Sequence, residues 1–308
     1  MDNFITIQED DVKGLVTYKD LFPIIETAFG DFSKGKEGDV LQPVRTVISV
    51  EKHNGTCFIM PCVYHGIMTT KVLTIFHDGE KQSRQSLIWL YTLPSAGLKA
   101  MIAGETITFH RTAAMSVIAT KYLAPKQPKV LAILGAGHQA RSHFNGLNAF
   151  HQFKETRIWT RSFTKAQTLA NELNCIACET AQEAVKDADV IVTVTRSTKP
   201  VLMLDWVKKG AHINCVGALK PSYQEIDPEL MRNSVVYTDT IEGALKESGD
   251  IILSKCDVYA EIGEVVNGYK DAKSDQTTVF KSLGIGVMDT ATATFVYENY
   301  KSKIICKN

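Results

Sequence analysis

Apolar positions in the first third of the chain follow two different periods. Residues 18–34 repeat at helical spacing, whereas 44–50, 56–64, 70–76, 86–93 and 97–103 read as strands separated by turn residues. The pattern predicts one helix and an antiparallel sheet. Residues 104–124 return to the helical period, and Pro125 and Pro128 end it because proline lacks the backbone donor a helix needs. The Pro-Lys-Gln-Pro segment is the expected domain linker.

From residue 129 the pattern changes. Short apolar runs at 130–134, 157–160, 190–194, 212–216 and 235–238 alternate with helix-compatible stretches, the signature of a parallel sheet covered on both faces. A last helical stretch, 289–300, follows the break at Gly284-Ile285-Gly286 and is expected to return to the first domain. The expected fold class is α/β: a Rossmann-type doubly wound parallel sheet over 125–288, and an α+β domain with an antiparallel sheet over 1–124 and 289–308. No internal repeat or low-complexity tract interrupts it.

Composition narrows the function. The 308 residues are 44% hydrophobic, enough for two cores, and 34 basic residues balance 34 acidic ones. A neutral chain gives no polyanion-binding surface, so no nucleic-acid partner is expected. The start, MDNFITIQEDD, is acidic where a signal peptide would be basic, and no apolar run approaches the roughly 20 residues of a membrane span. A cytoplasmic protein with no membrane partner is expected. Seven cysteines, Cys57, Cys62, Cys175, Cys178, Cys215, Cys256 and Cys306, are scattered and read as reduced fillers. Cys175 and Cys178 form a lone C-x-x-C, and the eight histidines make no zinc motif, so no metal is expected.

The richest stretch is KVLAILGAGHQA at 129–140, an apolar strand running into Gly135-Ala136-Gly137 and then a helix through His138, Gln139 and Ala140. This is the G-x-G-x-x-A turn of a dinucleotide site: one glycine for the sharp bend, one for close approach of a pyrophosphate, and a small residue for helix packing. Phosphates would sit at the positive end of that helix. At the end of the next strand an NAD enzyme carries an acid for the ribose hydroxyls. Here Thr160-Arg161-Ser162 stands instead, and a guanidinium between two hydroxyls suits a 2′-phosphate, so NADPH is the expected cofactor with NADH as the alternative. Ligands bind beyond the carboxyl ends of such strands, so Thr195, Val216 and Gly217 should also face the cofactor.

Three cations lie in apolar or hydroxyl-rich surroundings: Arg45 in QPVRTV, Lys71 in TTKV and Arg111 in HRTAAM. Arg45 and Lys71 fall on predicted strands and Arg111 on the long helix. Half-buried cations need partners, which are either internal acids or a substrate carboxylate.

Ten ordered segments, QPVRTV, TTK, HRTAA, LGAGHQA, IWTRS, ADVIVTVT, GAHINCVGA, ALKESGDI, AEIGEVVNG and TTVFKSLG, resemble the ornithine cyclodeaminase and mu-crystallin family, with the second half nearer mu-crystallin. The resemblance implies that Arg45, Lys71 and Arg111 hold the carboxylate of an amino or imino acid. It implies that Ser83, Gln85 and Thr112 reach the cofactor, that Thr160, Arg161 and Ser162 take NADPH, and that Glu247 and Ser282 contact ligand and cofactor. It also implies a homodimer built on the first domain. Cyclodeaminases carry an Asp two residues after the strand-end glycine; here the position is Leu219, which accepts no proton, and Lys220 or Glu225 would have to substitute. The expectation is therefore an NADPH-dependent reductase of cyclic ketimines or imino acids, with Arg45, Lys71 and Arg111 as catalytic residues and Lys71 as proton donor. The alternatives are a cyclodeaminase or amino acid dehydrogenase using NAD, and an NADPH-regulated thyroid hormone binder whose ring would be lined by Phe58, Tyr64 and Phe76.

Overall fold

The computed structural model describes residues 4–79, 81–95 and 97–305, and Cys306 lies outside them. Contacts divide the chain into two units, Met1–Arg111 with Gly284–Asn308, and Thr112–Leu283. The tail thus returns to the first unit. The boundaries differ from the predicted linker at 125–128 and the predicted join at 289. The long helix Glu105–Leu123 contains the first boundary, because its second half is bonded to the parallel sheet: Asn214 donates to Thr120 Oγ1 at 2.9 Å and Thr278 Oγ1 donates to the Leu123 carbonyl at 3.1 Å.

The first unit holds a seven-stranded sheet of β1 (Ile5–Ile7), β2 (Val40–Leu41), β3 (Thr46–Val50), β4 (Gly55–Tyr64), β5 (Ile67–Asp78), β6 (Lys81–Thr92) and β7 (Gly97–Ala103). Its order is β1-β7-β6-β5-β4-β2 with β3 also on β4; β1 runs parallel to β7 and the other pairs are antiparallel. The alternation that predicted β4 is visible as burial: Phe58, Met60, Cys62 and Tyr64 are buried, and the residues between them are half-buried. The C-terminal helix Gly286–Ile305 packs on β4, β5 and β6 and on the helix Tyr18–Ser33. The helix Tyr18–Ser33 starts at a capping box of Thr17 and Asp20 and buries Leu21, Ile25 and Phe29.

The second unit is an all-parallel sheet of eight strands: β8 (Val130–Leu134), β9 (Glu155–Trp159), β10 (Ile176–Ala177), β11 (Val190–Thr193), β12 (His212–Cys215), β13 (Val235–Thr238), β14 (Ala260–Glu261) and β15 (Thr278–Lys281). The order is β10-β9-β8-β11-β12-β15-β13-β14; its first five strands follow the 3-2-1-4-5 start of doubly wound dinucleotide folds, and β15, the last in sequence, takes the sixth place. Apolar strand residues such as Ala132, Leu134, Ile191, Ile213, Val236 and Val279 form its core. The periodicity missed β15, which lies between β12 and β13. It has four residues, all buried, and ends in a lysine, so it shows no alternation. The short strands β1, β2, β10 and β14 were also not predicted.

Candidate functional site

In the second unit, Gly135 follows β8 with φ 131°, a conformation L side chains rarely adopt, and a Cβ there would meet the Val194 carbonyl oxygen at 2.8 Å. Gly137 begins the helix His138–Phe150 with an ordinary φ of −93°, and a Cβ on it would meet nothing within 4 Å. No packing in the described structure demands that glycine. An open space above a helix start, bordered by backbone N–H groups, is what a pyrophosphate needs. Ala140 is fully buried, as a residue packing helix on strand should be. The helix is held by His143, whose Nδ1 donates to the Gln139 carbonyl at 2.8 Å and whose Nε2 accepts from Ser116 at 2.9 Å. Burial pushes the His143 pKa down to about 4, so it holds this bridge as a neutral ring.

Thr160 follows β9, Arg161 and Ser162 are exposed after it, and no acid stands among them. β8 and β9 are neighbours at the start of the doubly wound order, and Arg161 stands beyond the carboxyl end of β9. Thr195 follows β11, and Val216 and Gly217 follow β12, in the second mononucleotide half. Ser282 is buried directly after β15, and its hydroxyl has no hydrogen-bond partner. Glu247 ends the helix Ile241–Glu247 and is half-buried. Thr112 is buried in the long helix.

Leu219 packs against the apolar core of the second unit. Neither neighbour is arranged to replace the missing acid. Lys220 lies with its ammonium 5.7 Å from the Tyr223 ring centre. Glu225 is fully buried, with both carboxylate oxygens occupied by donors from Thr193, Thr195 and Gly217. Cys215, Glu225 and Asp250 are the one metal-like group among the described residues, and the Lys281 ammonium stands beside them, 3.4 Å from Asp250 and 3.5 Å from the Cys215 sulfur.

In the first unit, the sheet register decides which side chains share a face. Lys71 pairs with Met60, and Phe58 is two residues from Met60, so Lys71, Met60 and Phe58 point the same way. Arg45 lies just before β3 rather than on it, and its guanidinium carbon sits 5.1 Å from the Phe58 ring centre. Arg45 and Lys71 therefore serve one face of the sheet. Phe76 pairs with Gly55, an odd number of residues from Phe58, and points to the opposite face. Phe58 and Phe76 cannot line one pocket, and the Tyr64 hydroxyl is already donated to Asp31 at 2.7 Å.

Lys71 and Arg111 meet on Asp289, which is not among the residues expected from the sequence. Lys71 Nζ donates to Asp289 Oδ1 at 2.8 Å and Arg111 Nε to the same oxygen at 3.1 Å. Asp289 Oδ2 is buried and accepts no hydrogen bond. All three residues are buried. Burial drives the Lys71 pKa down to about 7 against the pull of Asp289, with the Arg111 charge adding to the fall. Burial alone would raise the Asp289 carboxyl, but Arg111 and then Lys71 hold it below the usual range. Arg84, on β6 beside Ser83 and Gln85, is paired with Glu105 at 3.2 Å and lies over Phe109 at 4.6 Å. Ser83 and Gln85 are exposed. A signal for Asp289 was present: a lone acid in the apolar run GIGVMDTATATF, open to the same reasoning that singled out the three cations.

The model of the ornithine cyclodeaminase/mu-crystallin family matches residues 2–304. The chain belongs to that family. It is similar to the ketimine reductase mu-crystallin of Macropus fuliginosus, 48% identical over 92% of each chain. It is also similar to the Δ1-pyrroline-2-carboxylate reductase of Bacillus cereus, 29% identical over 96% of each. Among solved structures, the Δ1-pyrroline-2-carboxylate reductase of Thermococcus litoralis, in complex with NADH and L-proline, superposes with a TM-score of 0.91 at 30% identity over 97% of this chain and 98% of that one. An archaeal alanine dehydrogenase dimer with bound NAD gives the same TM-score at 29% identity, over 97% of each chain.

Proposed function

We propose that the protein is an NADPH-dependent reductase of C=N bonds that lie next to a carboxylate, as in cyclic ketimines and imino acids. The observation that carries the reading is the convergence of two buried cations, Lys71 and Arg111, on one oxygen of Asp289, with Arg45 serving the same face of the sheet over Phe58. Guanidinium and ammonium groups gathered in this way suit the carboxylate of an anionic substrate. Relatives named for ketimine and pyrroline-2-carboxylate reduction support the same substrate class.

The cofactor, when bound, supplies the hydride. The chain supplies the rest. Arg45 and Arg111 present forked donors to the carboxylate and so orient the adjacent C=N carbon. Lys71, with a pKa near 7, holds a proton at Nζ that the imine nitrogen can take. Gly135, Gly137 and the helix they open receive the pyrophosphate, and Arg161 reads the 2′-phosphate. Steady-state oxidation of NADPH with piperideine-2-carboxylate or pyrroline-2-carboxylate tests the assignment, and absence of turnover with every cyclic ketimine removes it.

The oxidative alternatives lose their expected base, since Leu219 packs into the core and Glu225 is saturated. Ammonia release from ornithine with NAD would restore them. Hormone carriage keeps one support, the Arg45 guanidinium stacked on Phe58, where an amino acid carboxylate next to an aromatic ring would fit. Iodothyronine titration with and without NADPH, beside the ketimine assay, separates carrier from enzyme.

The protein is further proposed to act as a homodimer. The edge strand β3 exposes Val47 and Ile48 at 46% and 45%, an apolar edge that a second copy would cover. Sedimentation equilibrium showing only the chain mass at micromolar concentration would refute it.

A further inference from the structure

Glu225 is among the most buried charged residues of the second unit, and the reaction proposed above gives it nothing to do. Its Oε1 accepts from the Thr195 backbone N–H at 2.5 Å and from the Thr195 hydroxyl at 2.7 Å. Its Oε2 accepts from the Thr193 hydroxyl at 2.9 Å and the Gly217 N–H at 2.7 Å. One carboxylate thus gathers the end of β11, the turn after it, and the turn after β12. The turns close so tightly around it that a Cβ at Gly217 would stand 2.0 Å from the Thr195 carbonyl oxygen and 2.5 Å from Glu225 Oε1.

The carboxylate is itself anchored. The Glu225 and Ile226 N–H groups donate to Asp250 Oδ1 at 2.7 and 3.0 Å, and the Val201 and Leu202 N–H groups donate to the Glu225 carbonyl. Lys281 on β15 offsets the paired negative charge through Asp250 Oδ2. Burial and the Asp250 charge raise the Glu225 pKa, against the Lys281 charge and the hydrogen bonds from Thr195. Two of its donors are backbone N–H groups that can only donate, so the ionised form suits the geometry.

We propose that Glu225 is a positioning residue that shapes the floor of the nicotinamide half-site. Thr195 and Gly217 lie beyond β11 and β12, the fourth and fifth strands of the 3-2-1-4-5 order and so in its second mononucleotide half, and the carboxylate sets both turns at once. Glu225 does not touch the reacting atoms. The inference rests on the dinucleotide reading of the previous subsection and adds which half of the cofactor depends on this carboxylate.

The test compares two nucleotides in the full-length protein: NADPH, followed by its fluorescence, and 2′-phospho-ADP-ribose, which lacks nicotinamide, followed by calorimetry. In Glu225→Gln the amide nitrogen must face the backbone N–H of Gly217 or of Thr195, and in either orientation it cannot accept from that donor. NADPH is expected to bind about 10-fold or more weakly, the scale of one lost charge-assisted hydrogen bond, while 2′-phospho-ADP-ribose stays within about 2-fold of wild type. Thr193→Val removes a single donor without changing shape and should weaken NADPH alone by about 3-fold, so it decides the matter if the glutamine variant does not fold. Parallel weakening of both nucleotides, or NADPH affinity unchanged in both variants, overturns the positioning role while leaving the reductase reading intact. A wild-type protein that binds neither nucleotide overturns both.

Discussion

The two units each bury a charge cluster, and the clusters are built in opposite senses. In the first, two cations share one carboxylate, and one oxygen of that carboxylate accepts nothing. In the second, two carboxylates share one lysine, and Glu225 has both oxygens filled by backbone and hydroxyl donors. Burying charge costs free energy, and the second cluster offsets the cost with a complete set of hydrogen bonds, as a scaffold must. The first leaves one buried carboxylate oxygen, Asp289 Oδ2, without a hydrogen bond. Incomplete satisfaction inside a fold marks a place that a ligand completes, and it separates the site from the frame better than burial does.

The strongest way to break the contrast is to neutralise the first cluster. Lys71→Met should lower kcat/KM for a cyclic ketimine about 1,000-fold, within the range for loss of a general acid, and leave the NADPH dissociation constant unchanged. Equal losses in both quantities would make Lys71 part of the frame. In the second unit, Gly137→Ala places a methyl in open space at a φ any residue adopts. Thermal unfolding of the nucleotide-free protein should move by no more than about 0.5 kcal/mol, while NADPH binding weakens about 30-fold. Unchanged NADPH affinity would remove the phosphate from that space.

Smaller in effect, Arg161→Gln should raise the KM for NADPH about 10-fold and leave that for NADH alone, since only the former carries a 2′-phosphate. The finest test is pH. If Lys71 must hold its proton, reduction falls as pH rises through about 7. Asp289 raises the Lys71 pKa, so Asp289→Asn should move that falling limb to lower pH by about one unit. Arg111 and Arg84 act on Lys71 from the long helix and β6, Cys62 on β4 lies beside Asp289, and all three persist in the variant. A limb that stays in place means that Lys71 does not donate the proton.

Much of this is legible in the sequence. Strand periods located β4, β5, β6 and β7, and the run into Gly135-Ala136-Gly137 located the turn where a helix start stands open. Arg161 stood out because no acid occupies the end of β9. Local features sufficed there, since turn geometry and amphipathic period are written in neighbouring residues. The domain boundaries were less legible. Proline marks where a helix stops, but Thr120 and Leu123 bind the sheet of the second unit before the prolines are reached. β15 was hidden because a strand buried on both faces carries no alternation.

The sequence by itself determined the two architectures, the dinucleotide turn and the shortlist of cations, because each is a matter of residue type at short range. Only the tertiary structure decided that Lys71 and Arg111 share Asp289, 218 positions from Lys71, that Phe76 turns its back on Phe58, and that Glu225 is saturated. Those are properties of side chains brought together by sheet register and a returning helix. A buried charge is stabilised by whatever folds against it, and no local pattern along the chain encodes that partner.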